Sequence, residues 1–289
     1  MASVDLHTHS TASDGSLTPG ELVDYAYEAG VVALALTDHD TIDGLREAEA
    51  EARRLKMEFI PGVELSMTTA GGSVHVLGYS FDPASPDLQA ALRRFAVRRY
   101  ERNLKIIERF AGLGVRITEE DLARQAGGPE RLMNAGRPHF ARLLIEQRLV
   151  GNFEEAFERY LGKGKPAYAP KSKLDPEEGI AVIHAARGVA VLAHPKYSGT
   201  QNREELATLV EQLVQAGLDG LECHYTDHTP EETAFYQELA RRHALAVTGG
   251  TDFHGSSTPE TRLGRGRDNL ALSYDLVDNL RAAHYRRYG

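Results

Sequence analysis

Val31-Val32-Ala33-Leu34-Ala35-Leu36-Thr37-Asp38-His39-Asp40 is the stretch from which the fold can be read. Six apolar residues in a row, with no polar alternation, describe a strand covered on both faces. The run then stops on a histidine between two aspartates, so ligands suited to a divalent cation stand where a strand ends. The same pattern recurs on either side. Asp5-Leu6-His7-Thr8-His9 closes the preceding apolar run, and Gly62-Val63-Glu64 and Val74-His75-Val76 follow. Ala193-His194-Pro195 and Thr251-Asp252-Phe253-His254 repeat it in the second half. In a parallel barrel the carboxyl ends of the strands open onto one face, where residues far apart in sequence converge.

Strands are expected at 4–7, 31–37, 58–66, 74–79, 189–193, 220–224 and 244–251. Helices should start at Thr18-Pro19-Gly20-Glu21, Asp175-Pro176-Glu177-Glu178 and Thr229-Pro230-Glu231-Glu232, where a capping residue precedes proline and an acidic first turn. Residues 82–168 break the rhythm: the patterning is helical, with Leu88, Leu92, Phe95, Ile106, Phe110 and Leu113 in register for an apolar stripe. The expected class is therefore α/β, a (β/α) barrel or a closely related parallel sheet. Residues 1–81 and 169–289 form the barrel, and 82–168 form a helical insertion that shapes the substrate site.

The totals narrow the setting. At 289 residues, 42% hydrophobic and 26% charged, the chain has an ordinary globular composition. A net charge of −9 argues against a protein that coats nucleic acid, while leaving room for a local basic site. Cys223 is the only cysteine, which excludes an internal disulfide and thiolate zinc sites and suggests a reducing cytoplasm. Met1 to Asp5 lead straight into the first strand, so no secretory leader is expected, and no apolar run suits a membrane helix. No membrane or obligate protein partner is expected.

His7, His9, Asp14, His39, Glu64, His75, His194, Asp252 and His254 are the metal-ligand candidates, too many for one ion and suited to two or three divalent cations. Several have plainer readings alone. His75 in its apolar run suits a hydrogen-bonded core histidine, His194 before proline suits a turn, and Asp14 before Gly15 suits a turn cap. Glu64 does not, since a carboxylate ending an apolar strand must be paired or metal-bound. Asp38 and Asp40 read as partners orienting imidazoles. Such a cluster makes hydrolysis the leading chemistry.

D-L-H-T-H-S with Asp14 following, T-D-H-D, G-V-E, V-H-V-L-G-Y, A-H-P and G-T-D-F-H together resemble the PHP (polymerase and histidinol phosphatase) family. The resemblance implies a distorted (β/α)7 barrel and three divalent cations, with Mn²⁺ first and Fe²⁺ or Zn²⁺ as alternatives. It implies His7, His9, Glu64 and Asp252 around the first cation and Glu64, His75 and His194 around the second. Asp14, His39 and His254 would hold the third. Some family members carry histidine where Asp14 stands. The insertion and Leu221-Glu222-Cys223-His224-Tyr225 resemble the branch with nucleoside 3′,5′-bisphosphate phosphatases, one relative of which trims 5′-phosphorylated RNA.

For the substrate, Asn134-Ala135-Gly136-Arg137-Pro138-His139 opens a helix, whose N-terminus favours anions; Asn134, Arg137 and His139 are the candidate contacts. Lys171 is a further phosphate candidate. Arg94, Arg98, Arg102, Lys105 and Arg109 recur at helical spacing as a basic track diluted by Glu101 and Glu108; of it Arg102, with Asn103, is kept for a second phosphate. His224 ends a strand and is a candidate acid or substrate contact, while His228, His184, His243 and His284 read as structural. The loop from Arg262 to Arg267 reads as solvent-facing. The expected reaction is metal-assisted hydrolysis of a phosphate monoester, the 3′-phosphate of a nucleoside 3′,5′-bisphosphate, with His194 and Asp252 as catalytic residues. A 5′→3′ exoribonuclease acting on short RNA, a histidinol-phosphate phosphatase, an amide hydrolase and a non-catalytic metal-binding module are the alternatives.

Overall fold

The computed structural model describes residues 3–69, 72–170 and 175–289. Strands β1 (Ser3–Asp5), β2 (Val31–Leu36), β3 (Glu58–Thr68), β4 (Ser73–Tyr79), β5 (Val189–Leu192), β6 (Gly220–Tyr225) and β7 (Ala246–Gly250) form one sheet in sequence order. The sheet curls until its edges meet. Leu6 N donates to Gly249 O at 3.3 Å, Asp252 N to His7 O at 2.9 Å, and His9 N to Phe253 O at 2.9 Å. This closure needs a glycine, because a Cβ at Gly250 would lie 2.3 Å from that of His7. The result is a distorted (β/α)7 barrel, as the resemblance implies.

One strand departs from the parallel pattern. β4 runs antiparallel to both β3 and β5. Residues 69 and 72 exchange backbone hydrogen bonds, so only two residues separate the paired ends of β3 and β4, too few for the crossover that parallel neighbours need. The reversal explains His75. It lies near the start of its strand, yet in a reversed strand that is the rim where the others end.

Outside the barrel lie α1 (Pro19–Glu28), α2 (Leu45–Leu55), α7 (Pro176–Ala185), α8 (Arg203–Gln215) and α9 (Pro230–Arg242). Thr18 and Glu21 close the expected capping box on α1, Thr229 and Glu232 do so on α9, and Asp175 caps α7. The helices bury an outer core against strand residues such as Leu34, Leu36, Val63, Val76, Leu192 and Leu221. An inner core fills the barrel with Val4, Leu6, Ala33, Leu77, Tyr79 and Val191. It is stoppered by Leu276, Val277, Leu280 and Ala283 of α10 (Asp275–Tyr288).

Between β4 and β5 come α3 (Pro86–Gly112), α4 (Glu119–Gln125), α5 (Arg137–Glu146) and α6 (Phe153–Ala156). Their apolar contacts divide α3. Leu88, Leu92 and Phe95 join the outer barrel core, while Ile106 and Phe110 join a separate core with Leu122, Phe140, Leu144 and Leu161. Leu113, placed in the stripe by its spacing, caps the end of α3 and is exposed. Among the described residues no helix is long and apolar enough to cross a membrane.

Candidate metal centre

The rim gathers the candidate ligands around Glu64, which is fully buried. Glu64 Oε1 lies 2.7 Å from His75 Nδ1 and 3.0 Å from His194 Nε2. Its other oxygen lies 2.9 Å from His39 Nδ1, 3.2 Å from His9 Nε2 and 3.4 Å from His7 Nε2. Asp252 Oδ1 faces the same pair, 3.0 Å from His9 Nε2 and 3.3 Å from His7 Nε2. Asp14 Oδ1 lies 3.2 Å from His254 Nε2, and Asp14 Oδ2 lies 3.9 Å from His39 Nε2.

These atoms fall into three groups. His7, His9, Glu64 and Asp252 form one, the set expected around the first cation. His39, Glu64 and His75 form a second, and His9, Asp14, His39 and His254 a third. The groups share more than the resemblance implies: His39 also faces Glu64, and His9 also borders the Asp14 group.

A cation fits here on two counts. His7 Nε2, His9 Nε2, His39 Nδ1 and Glu64 Oε2 are buried without a hydrogen-bond partner among the described residues, and all four converge on one spot. Buried polar atoms are seldom left so. The separations also fit, because ligand bonds of ~2.1 Å hold neighbouring donor atoms about 3–3.5 Å apart. The electrostatics agree. Burial alone would raise the Glu64 carboxyl, but His39, His75 and His7 hold it well below the usual range. Burial alone would likewise lower His9, yet the adjacent Asp252 and Glu64 carboxylates lift it to about 10. Positive charge is demanded at this spot, and protons and divalent cations are the two ways to supply it.

Three backbone positions at the rim are unusual, one of them Asp40 at φ +56°. His194 sits at φ +25° and Asp252 at φ +56°, a left-handed region that side chains other than glycine rarely adopt.

Asp38 and Asp40 do not orient imidazoles directly. Asp38 accepts hydrogen bonds from Ser10 N, Ser10 Oγ and Ser13 Oγ, bracing the loop that carries Asp14; Ser13 Oγ in turn lies 3.5 Å from His9 Nδ1. Asp40 accepts from Ser66 N and pairs with Arg99.

The carboxylate that does orient an imidazole is Glu222, a residue outside the candidate set. It is fully buried; Oε1 lies 2.9 Å from His7 Nδ1, and Oε2 accepts from His194 N at 2.7 Å. Its signal in sequence was weak: Glu222 stands within the expected strand 220–224 after a single large apolar residue, Leu221. His224, the expected contact, faces away and lies 3.2 Å from Gln237 Nε2 on α9. The cause is a bulge. Glu222 pairs with Thr248 and His224 with Gly249, so Cys223 is an extra residue and the alternation slips. Tyr225 turns inward instead, and its hydroxyl donates to Asp252 Oδ2 at 2.9 Å.

The insertion brings its cations to the same rim. Arg102 is buried, and its Nε has no hydrogen-bond partner among the described residues. Burial pushes its guanidinium down, and Arg99 and Arg137 push the same way. Asn103 donates to Ala135 O at 2.8 Å and leaves its Oδ1 without a partner. Arg137 donates to Leu161 O at 3.2 Å and lies over the rings of Phe157 and Tyr168, 5.4 and 5.9 Å from their centroids. His139 Nδ1 accepts from Gly136 N at 3.0 Å, so its proton resides on Nε2, and burial pushes this histidine down to about 4. Asn134 donates to Asp43, beyond the metal-bearing loop. Lys171 lies outside the described residues. The basic track does not persist: Arg94 pairs with Glu178 at 2.9 Å, and Arg109 donates to Tyr168 O.

With this geometry the comparisons agree. The PHP domain matches residues 5–161, and the chain belongs to that family. It is 37% identical to a 5′-3′ exoribonuclease of Haemophilus influenzae, over 96% of each chain. It is 36% identical to a 3′,5′-nucleoside bisphosphate phosphatase of Chromobacterium violaceum, over 88% of each. A solved structure from Bifidobacterium adolescentis, put forward as a metal-dependent phosphoesterase, superposes with a TM-score of 0.87 at 29% identity, covering 96% of this chain and 95% of the other. Fold, ligand set and relatives together make the protein a metal-dependent phosphoesterase.

Proposed function

We propose that the protein removes the 3′-phosphate of a nucleoside 3′,5′-bisphosphate, as in adenosine 3′,5′-bisphosphate to AMP. The observation that carries this is the Arg102 pocket. A buried guanidinium whose Nε has no partner among the described residues, with Arg99 and Arg137 for neighbours, wants an anion, and it lies within electrostatic reach of Asp40, the residue after His39. A substrate with two phosphates on one ribose answers both the pocket and the metal centre. Histidinol phosphate has one phosphate and would leave the pocket without a counter-charge.

Three divalent cations, Mn²⁺ first, are proposed to be held by His7, His9, Glu64 and Asp252, by Glu64, His75 and His194, and by Asp14, His39 and His254. When bound they supply positive charge for the phosphoryl oxygens and lower the pKa of the attacking water. Water adds to the 3′-phosphorus, the P–O3′ bond breaks with its electron pair on O3′, and a proton reaches O3′. Asp252 aims its Oδ1 at the two N-terminal histidines while Tyr225 holds its Oδ2. His194 Nε2, 3.0 Å from Glu64 Oε1, is committed to the second cation, so the proton that reaches O3′ comes from water and not from this imidazole. Arg102 and Arg137 hold the 5′-phosphate, and His139, neutral with its proton on Nε2, offers a donor beside them; Asn103, whose amide nitrogen serves Ala135 O, presents an acceptor and is not among the phosphate contacts. The work is placed in the cytoplasm, in keeping with a single buried cysteine.

A second reading deserves the same test, because the exoribonuclease relative covers nearly the whole chain. A 5′-phosphorylated RNA end presents the same 5′-phosphate and the same P–O3′ bond, with a nucleoside on the phosphorus. The broken basic track favours the smaller substrate. Phosphate release from adenosine 3′,5′-bisphosphate and adenosine 3′-monophosphate, and nucleotide release from a 5′-phosphorylated oligonucleotide, separate the readings. Arg102→Met should lower kcat/KM for the bisphosphate about 10–100-fold and leave the 3′-monophosphate nearly untouched. Equal losses on both would remove the pocket from the argument. Turnover of the oligonucleotide alone would transfer the assignment to RNA.

A further inference from the structure

The ligand groups differ in what builds them. His7, His9, Glu64, His75, His194 and Asp252 all come from barrel strands or the residues just beyond them. Asp14 and His254 come from two loops that lean on each other and on the helical insertion. Ser256 N donates to Ser16 Oγ at 2.8 Å. The loops approach so closely that a Cβ at Gly255, whose φ is +67°, would lie 2.0 Å from Ser16 Oγ.

One side chain from the insertion fastens both. Arg142, on α5, places its Nη2 2.5 Å from Asp14 O, 3.4 Å from Gly15 O and 2.9 Å from Ser257 Oγ. Ser257 ends the 3₁₀ turn that directly follows His254. The guanidinium is partly buried and uses backbone carbonyls, so it holds the loops without competing for the Asp14 carboxylate. Arg131 adds a lesser tie to the same region, donating to Thr11 O at 3.0 Å.

We propose that Arg142 is a positioning residue for the third cation: it sets the spacing of Asp14 and His254, so that this position alone depends on the docked insertion. The inference rests on the three-cation reading. It makes the centre two plus one, with two cations held by the barrel and one completed by the insertion. It also places third-cation assembly on the helix whose first residue, Arg137, serves the proposed 5′-phosphate pocket.

The test is cation counting on the intact protein. Mn²⁺ bound after desalting is measured by elemental analysis, and Mn²⁺ affinities by electron paramagnetic resonance titration. Wild type, Arg142→Ala, Arg142→Lys and Ser257→Ala are compared. Wild type should bind three. Arg142→Ala should weaken one of them about 10–100-fold and leave two unchanged. Arg142→Lys should restore part of that affinity, and Ser257→Ala, which removes one leg of the clamp, should weaken the same cation less. General loosening of the fold would weaken all three together, and that pattern overturns the proposal, as does an unchanged third affinity in Arg142→Ala. Should Arg142→Ala fail to fold, Ser257→Ala and Arg142→Lys decide by the same selectivity. A wild type that binds only two cations removes the three-cation reading and this inference with it, a result distinct from three cations indifferent to Arg142.

Discussion

Glu64 and Glu222 each lie inside a barrel strand, and both are fully buried. Their roles differ because of what faces them. Glu64 is surrounded by imidazole nitrogens, five of them within 3.4 Å of one or other carboxylate oxygen. Glu222 meets one imidazole and one backbone N–H. It therefore fixes which His7 nitrogen faces the centre and where His194 begins its left-handed turn. Glu222→Gln keeps the size and loses the charge, so Mn²⁺ affinity measured by titration should fall about 10–100-fold. Unchanged affinity would reduce Glu222 to a buried structural acid. At this scale much of the centre was legible: the strand-end histidines and acids identified in sequence do assemble around Glu64. What stayed hidden was partnership. Asp38 and Asp40 flank His39 in sequence, yet their acceptors serve Ser10, Ser13, Ser66 and Arg99; neighbours on a strand point to opposite sides, which turns Asp38 from His39, and Asp40 takes a left-handed turn at φ +56°.

Elements show a different limit. Seven strands, the capped helices and the helical character of the insertion followed from periodicity and capping residues. Direction and register did not. The reversal of β4 depends on a turn of a few residues, and the slip in β6 on one extra residue, neither of which leaves a mark in apolar spacing. That slip exchanges His224 for Tyr225 at the site. Tyr225→Phe deletes only the hydroxyl that holds Asp252 Oδ2, a hydrogen bond to a carboxylate worth about 1.5–3 kcal/mol. We expect kcat to drop about tenfold or more, with KM for the bisphosphate little changed, since Tyr225 touches a ligand and not the 5′-phosphate pocket. An effect confined to KM would place Tyr225 against the substrate instead. His224→Ala, by contrast, should leave both constants near wild type, because that ring faces α9.

Across the whole molecule, the rim is where every part of the fold meets. Candidate ligands from the ends of β1, β2, β5 and β7, from the middle of β3 and from near the start of β4 gather at one buried carboxylate, and the insertion is fastened to the same loops by Arg99, Arg131 and Arg142. Cations bound there stabilise the closed barrel by mass action, about 2.7 kcal/mol at a hundredfold excess over Kd for each site. Removing metal with a chelator should therefore lower Tm by several degrees, and readdition of Mn²⁺ should restore it; a Tm indifferent to chelation would mean that no cation binds the folded rim.

The stopper helix α10 carries one more consequence, for the birth of the chain. Val4 donates its N–H to Leu272 O at 3.0 Å and packs in the same interior as Leu280 and Ala283. A ribosome adds roughly 5–20 residues per second, so the first strand waits tens of seconds for the segment that completes its surroundings. The core around Phe110 and Phe140 draws only on residues 106–169 and can close long before that. The piece inserted into the barrel is thus the first to be finished, and the strand that leaves the ribosome first is among the last to find its place.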